Sequence, residues 1–170
     1  MKKILCVVLA LMLVMVAVAE QTPSKTVEDM TIFTPEVEGL VIEEVKTEEA
    51  DEQLEVLAAA DTLEEYFGED TIAAVKEITG NEYPGACELM SIRVSGYKDE
   101  MGDVKTNAKF ISTFEEGNKI ATLVGFAGND GIDWNVIEGL AQEDGSLDIV
   151  FPGEMLSRIQ DEGAFLAVIK

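Results

Sequence analysis

The chain has 170 residues, with 34 Asp and Glu against 12 Lys and Arg, no histidine, and a formal charge of −22 at pH 7. That excess of negative charge excludes nucleic-acid binding and attraction to anionic membranes or polymers. The missing histidine removes Ser-His-Asp and Cys-His nucleophile activation, imidazole metal ligation and the usual general base near neutral pH.

In chain order, Lys2 and Lys3 precede an apolar run from Ile4 to Val18 and a small-residue site at Ala17-Val-Ala19. This is the pattern of a bacterial secretory signal peptide over residues 1–19, cleaved before Glu20. The alternative, an uncleaved membrane anchor, fits less well because the run is short against the ~20 residues that span a bilayer. Cleavage would remove Cys6 and leave Cys87 as the one cysteine, so no internal disulfide forms and the fold rests on its hydrophobic core. A secreted or cell-surface protein, with no membrane insertion after cleavage, is expected.

Residues 20–50 carry Thr, Pro, Glu and Val with few aromatic side chains, and Glu43, Glu44, Glu48 and Glu49 fall close together. This composition predicts an acidic solvated linker with one short strand near Leu40-Val-Ile42. Residues 51–80 read as helical. Leu54 and Leu57 precede an Ala58-Ala-Ala60 run, and Asp61-Thr-Leu-Glu64 has capping-box spacing. Leu63 and Phe67 pair at i and i+4, and Gly68 breaks the run. Asp70 or Thr71 is placed to cap a further helix with an Ile72, Val75 and Ile78 stripe, closed by Gly80.

Two strands should follow. Met90, Ile92 and Val94 alternate with Ser91, Arg93 and Ser95, and period-two alternation runs from Val104 to Phe114. Glu115-Glu-Gly-Asn118 suits a tight hairpin, which predicts adjacent antiparallel pairing across Val104–Ala127. In Lys119–Ala127 both faces are apolar, the mark of a central strand covered on both sides. Gly128-Asn-Asp-Gly131 marks a turn. Leu147–Phe151 is a strand ended by Pro152, after which Met155, Leu156 and Ile159 form a helical turn. Ala164–Ile169 closes the chain as a buried strand.

Helices first and strands after predict one α+β domain over residues 51–170, an N-terminal helical pair packed on an antiparallel sheet. A β-sandwich with peripheral helices is the alternative. No catalytic residues, metal ligands or cofactor are assigned, and the expectation is a non-enzyme: an exported extracellular binding or interaction module for a protein or glycan. The alternative is a calcium- or carbohydrate-binding protein that uses the 129–134 turn. Asn129, Asp130 and Asp133 offer hard oxygen ligands there, as Glu143 and Asp144 do in a second turn. Trp134, with Tyr97 or Tyr83, would stack on a sugar.

The strand Ile120–Phe126, Asp133-Trp-Asn-Val-Ile137, Asp144-Gly-Ser-Leu-Asp-Ile-Val-Phe-Pro152, Leu156–Ile159 and the closing strand together span residues 119–169. As a set they resemble a β-rich segment recurring in uncharacterised secreted proteins of Gram-positive gut bacteria. The resemblance implies a small extracellular module and contains no motif diagnostic of an activity.

Overall fold

The computed structural model describes residues 30–129 and 131–170, apart from the Cys87 side chain. The expected signal segment, Cys6 and Asp130 lie outside the described residues. Eight strands form one sheet, β1 Ile32–Pro35, β2 Val41–Val45, β3 Ala86–Ser95, β4 Val104–Lys109, β5 Lys119–Gly128, β6 Gly131–Ala141, β7 Leu147–Phe151 and β8 Ala164–Ile169. The spatial order is β1-β4-β7-β6-β5-β8-β3-β2, and every pair is antiparallel. Among the described residues the α-helices are α1 Glu48–Ala59, α2 Leu63–Phe67, α3 Glu69–Thr79 and α4 Gly153–Glu162.

The sheet curls until its edges β1 and β2 lie side by side, which makes a nearly closed barrel. The seam carries a side-chain link in which the Thr31 amide donates to Glu44 Oε2 at 2.8 Å, and both residues are buried. Inside the barrel Ile92, Val124, Ile149, Phe151 and Leu166 meet, and α4 presses Leu156 and Ile159 into the same cluster. Outside, α2 and α3 cover only the β6-β5-β8-β3 stretch. There Phe67, Ile72 and Val75 pack on Leu89, Leu123, Ala167 and Ile169. Strands β5 and β8 are therefore buried on both faces, as the two-sided apolar pattern of Lys119–Ala127 predicted.

The α+β plan of a helical pair on a sheet is overturned. Two strands precede the helices: β2 is the short strand expected near Leu40-Val-Ile42, β1 lies in the stretch expected to be linker, and the compact unit runs Thr31–Lys170. The helical region divides into three short pieces because Ala60 is extended and Gly68 sits at φ 90°. The β-sandwich alternative fails as well, since all eight strands belong to one curled sheet. Within the helices, capping is shifted from the expected positions. Thr62 caps α2 through the Glu65 amide, and α3 starts from Gly68 without a side-chain cap.

The adjacent pairing expected across Val104–Ala127 is also overturned. Strand β4 pairs with β1 and β7, and β5 pairs with β6 and β8. Alternation stops being strand at Lys109. Phe110 and Phe114 then turn into the barrel core, their rings edge to face at 6.1 Å, while the backbone crosses to β5. Period-two burial in a connection looks the same in sequence as period-two burial in a strand, which is why the hairpin reading fails here. The partner β5 selects is β6, through the two-residue connection between Gly128 and Gly131.

Because β8 is packed on both faces, truncating it is far costlier than truncating an exposed strand residue. Leu166→Ala, at a fully buried site, should lower unfolding free energy by about 2–5 kcal/mol. Leu140→Ala, at a position 44% exposed, should change it by about 0.5 kcal/mol or less. Urea denaturation of the two variants checks the difference, and equal losses would contradict the placement of β8.

Candidate functional site

The residues expected to form a site in the 129–134 turn do not converge. Asn129 is exposed at the β5–β6 connection, and Asp130 lies outside the described residues. Asp133 and Trp134 are consecutive in β6, so their side chains project to opposite faces of the sheet. Asp133 is exposed and faces α4, its Oδ2 3.8 Å from Arg158 Nη1. Arg158 also pairs with Glu162 and lies over the Phe126 ring at 3.8 Å, which shields one end of the barrel core. In the second turn Asp144 Oδ1 accepts the Ser146 amide at 3.1 Å and the Ser146 hydroxyl at 2.6 Å. Those hydrogen bonds hold its carboxyl below the usual range and are ordinary turn chemistry. Among the described residues no group of three or more His, Cys, Asp or Glu side chains is placed to hold a metal ion.

Trp134 belongs to a different constellation, on the helix side of the sheet. Its register partner on β5 is Gly125. A Cβ at that glycine would come within 2.6 Å of both Trp134 Cζ3 and Ile132 Cγ2, so the absent side chain is what lets the indole lie down on the strand. From above, the Phe67 ring meets it at 5.0 Å with a 66° interplanar angle, and Tyr66 stands 6.1 Å away at 48°. These offset and edge arrangements suit the aromatic quadrupole. Phe67 is buried, whereas Tyr66 and Trp134 remain partly exposed.

The two partly exposed rings form one wall of a cleft of about 460 Å³ between α1, α2 and the start of β6. Val56, Ala59 and Ala60 supply the opposite apolar wall, and Gln53 and Glu65 the polar groups. The Tyr66 hydroxyl donates to Gln53 Oε1 at 2.9 Å, which ties α1 to α2 across the cleft. Glu65 is fixed at the α2 N-terminus, its Oε2 accepting the Asp61 amide at 2.9 Å and its own amide donating to Thr62 Oγ1 at 3.2 Å. Burial pushes the Tyr66 phenol up to about 12, so the ring stays neutral throughout the physiological range. The volume lies within the range of small-ligand sites, and an apolar cleft with a few fixed polar groups is their usual make-up.

No protein family, curated protein or solved structure matches this chain. The cleft is therefore judged on its own geometry.

Of the described residues expected at a site, only Trp134 lines this cleft. The tyrosines proposed to assist it are elsewhere. Tyr97 is buried, its hydroxyl donating to the Gly102 carbonyl at 3.3 Å, and Tyr83 is 87% exposed beyond α3. Tyr66, Gln53, Val56 and Glu65 were missed because they look like ordinary amphipathic-helix residues. The one local hint is that Tyr66 sits beside Phe67 on a five-residue helix, too short to bury both rings against itself.

Two outcomes follow from this geometry. Gly125→Val should collide with the indole and with Ile132, cost about 1–3 kcal/mol and shift the emission and near-ultraviolet circular dichroism of the chain's single tryptophan. Unchanged spectra would contradict the ring placement. The raised Tyr66 value also fixes a sign. The folded protein keeps that proton more tightly than the unfolded chain, so its stabilising contribution is intact below about pH 10 and is lost as pH rises toward about 12. Tyr66→Phe should flatten the decline in stability over that window, measured against the unsubstituted protein by urea unfolding.

Proposed function

We propose that the protein is an exported, non-catalytic binding module whose ligand site is the cleft formed by α1, α2 and Trp134. The observation that carries this reading is the pair of partly exposed aromatic rings, Tyr66 and Trp134, held 6.1 Å apart beside fixed Gln53 and Glu65. An aromatic wall that packs mainly for stability has reason to be covered, whereas this one opens on a concavity of ligand size. Export rests on the Lys2-Lys3, apolar-run and Ala17-Val-Ala19 pattern. The described residues hold no helix long and apolar enough to cross a membrane. A non-catalytic role accords with a sequence without histidine and with a cleft whose one carboxylate already serves the α2 terminus.

The carbohydrate and calcium alternatives fare differently. A sugar would stack on Trp134 in this cleft rather than in the 129–134 turn, because Asp133 points to the other face of β6. Calcium at that turn would have to draw Asp133 away from its existing Arg158 contact, which argues against it. The open hollow beside Tyr97 is bordered by Asp99, Asp103 and Glu154, but Asp103 Oδ1 is already engaged by the Gly153 amide at 2.9 Å.

Thermal unfolding with and without a panel of soluble ligands tests the reading. A ligand at a hundred times its Kd adds about 2.7 kcal/mol, which for this size raises Tm by roughly 5–10 °C. Ala59→Phe, at an exposed position on the cleft wall, should leave the unliganded Tm within ~2 °C and abolish that rise. A rise that survives Ala59→Phe would place the ligand elsewhere.

A further inference from the structure

The geometry points to an organic cation as the ligand of this cleft: an alkylammonium or guanidinium group on an apolar stem. This inference rests on the cleft being the binding site and specifies what the cleft selects. Two partly exposed aromatic rings, Tyr66 and Trp134, line the cavity, and indole is the strongest of the natural cation–π partners. Glu65 stands on the rim with its carboxylate oriented by the Asp61 amide. Among the described residues lining the cleft none is basic, so nothing there would compete with or repel a cation.

The surroundings strengthen the selection. Helix α1, which forms the far wall, carries Glu48, Glu49, Asp51, Glu52 and Glu55 and no basic residue. The chain as a whole holds −22. Cations are therefore concentrated at this surface and anions are kept away. A neutral polyol could stack on the rings and donate to Glu65, but it would gain nothing from the surrounding negative charge, and Gln53 Oε1 already accepts from Tyr66. The apolar lining of Val56, Ala59 and Ile132 matches the hydrocarbon part of the ligand. A bare metal ion would gain nothing from that lining, and a fully hydrated one would not shed water for it. Free amines and the side chains of lysine or arginine in a peptide share the required chemistry.

Trp134 is the only tryptophan, so its emission reports on this cleft alone. The experiment is a fluorescence titration of the purified full-length protein with four probes. These are choline, its neutral carbon isostere 3,3-dimethylbutan-1-ol, a capped lysine peptide and a soluble cello-oligosaccharide. Thermal unfolding with each probe runs alongside.

We expect saturable changes with choline or the lysine peptide, weakened by added salt, and none with the isostere at equal concentration. Choline binding more tightly than the peptide identifies a free amine as the source, and the reverse order identifies a protein side chain. Glu65→Gln, which keeps an oxygen for the Asp61 amide, should weaken the cation roughly two- to fivefold and leave Tm within ~2 °C. Tyr66→Leu, which removes the aromatic ring, should lose most of the affinity. Equal binding of the isostere, or saturation by the oligosaccharide alone, would overturn the cation inference and leave the cleft as a binding site. No change with any probe, in emission or in Tm, would overturn both.

Discussion

The structure depends on the insertion of the chain's last strand between two parts of the sheet made much earlier. Strand β8 pairs with β5 on one side and with β3 on the other. Without it the remaining pairings leave a five-stranded sheet, β1-β4-β7-β6-β5, and a separate β3-β2 ribbon. Leu166, Ala167, Val168 and Ile169 are all fully buried, alternating between the barrel interior and the helix-covered face. One strand thus joins two apolar clusters, and burial of roughly 1.5–3 kcal/mol for each large side chain gives the junction its strength. Even the end is tied down, since Lys170 and Gly85 exchange two backbone hydrogen bonds of 2.9 and 3.1 Å.

Closure at the opposite side of the barrel is of another kind. The edges β1 and β2 meet without a ladder between them, and the buried Glu44 carboxylate accepts the Thr31 amide at 2.8 Å. A side chain there takes the place of a missing backbone partner, which matters because a buried amide without one costs about 1–3 kcal/mol. Around the rest of the outer surface, ion pairs such as Lys105 with Asp148 at 2.9 Å and Glu36 at 3.3 Å decorate β4, β7 and the β1 end. They are largely exposed, with only Asp148 half-buried, and contribute little individually.

The helices explain why a cleft exists at all. Helix α3 is the piece that packs deeply, through Ile72 and Val75, whereas α1 buries only Ala50 fully. Helix α1 rests on β3 and α2, and the Tyr66–Gln53 hydrogen bond ties it across the cleft. The space left beneath it is floored by Trp134 and Ile132 and walled by alanines too small to fill it. Glycine at position 125 sets the depth of that floor, because any side chain there would lift the indole. The ligand reading therefore draws on four separate segments: the acidic α1, Tyr66 of α2, Trp134 of β6 and the Gly125 gap in β5.

The sequence by itself determined the local elements wherever one residue type dictates one backbone state. Gly68, Gly80 and Pro152 end or open helices where expected, the two-faced apolar run of Lys119–Ala127 is a strand covered on both sides, and the Gly128–Gly131 connection is a tight turn. The absence of histidine and the strong negative charge were equally legible and narrow the chemistry without any structure. Partner choice was not legible. Local pattern says which side of a strand is apolar, but not whether the apolar neighbour is the next strand in sequence or one that arrives fifty residues later. That is how β4 came to be paired with β5, and how the short, polar-flanked β1 was taken for linker, whereas β2 is the short strand expected near Leu40-Val-Ile42. The cleft was hidden for the same reason. Trp134 stood out as a lone residue, but the Tyr66 ring, the Gly125 gap and the Glu65 carboxylate acquire a common meaning only when the barrel brings α2, β5 and β6 together. Long-range pairing is decided by the sum of burial over the whole closed sheet, and no window of sequence contains that sum.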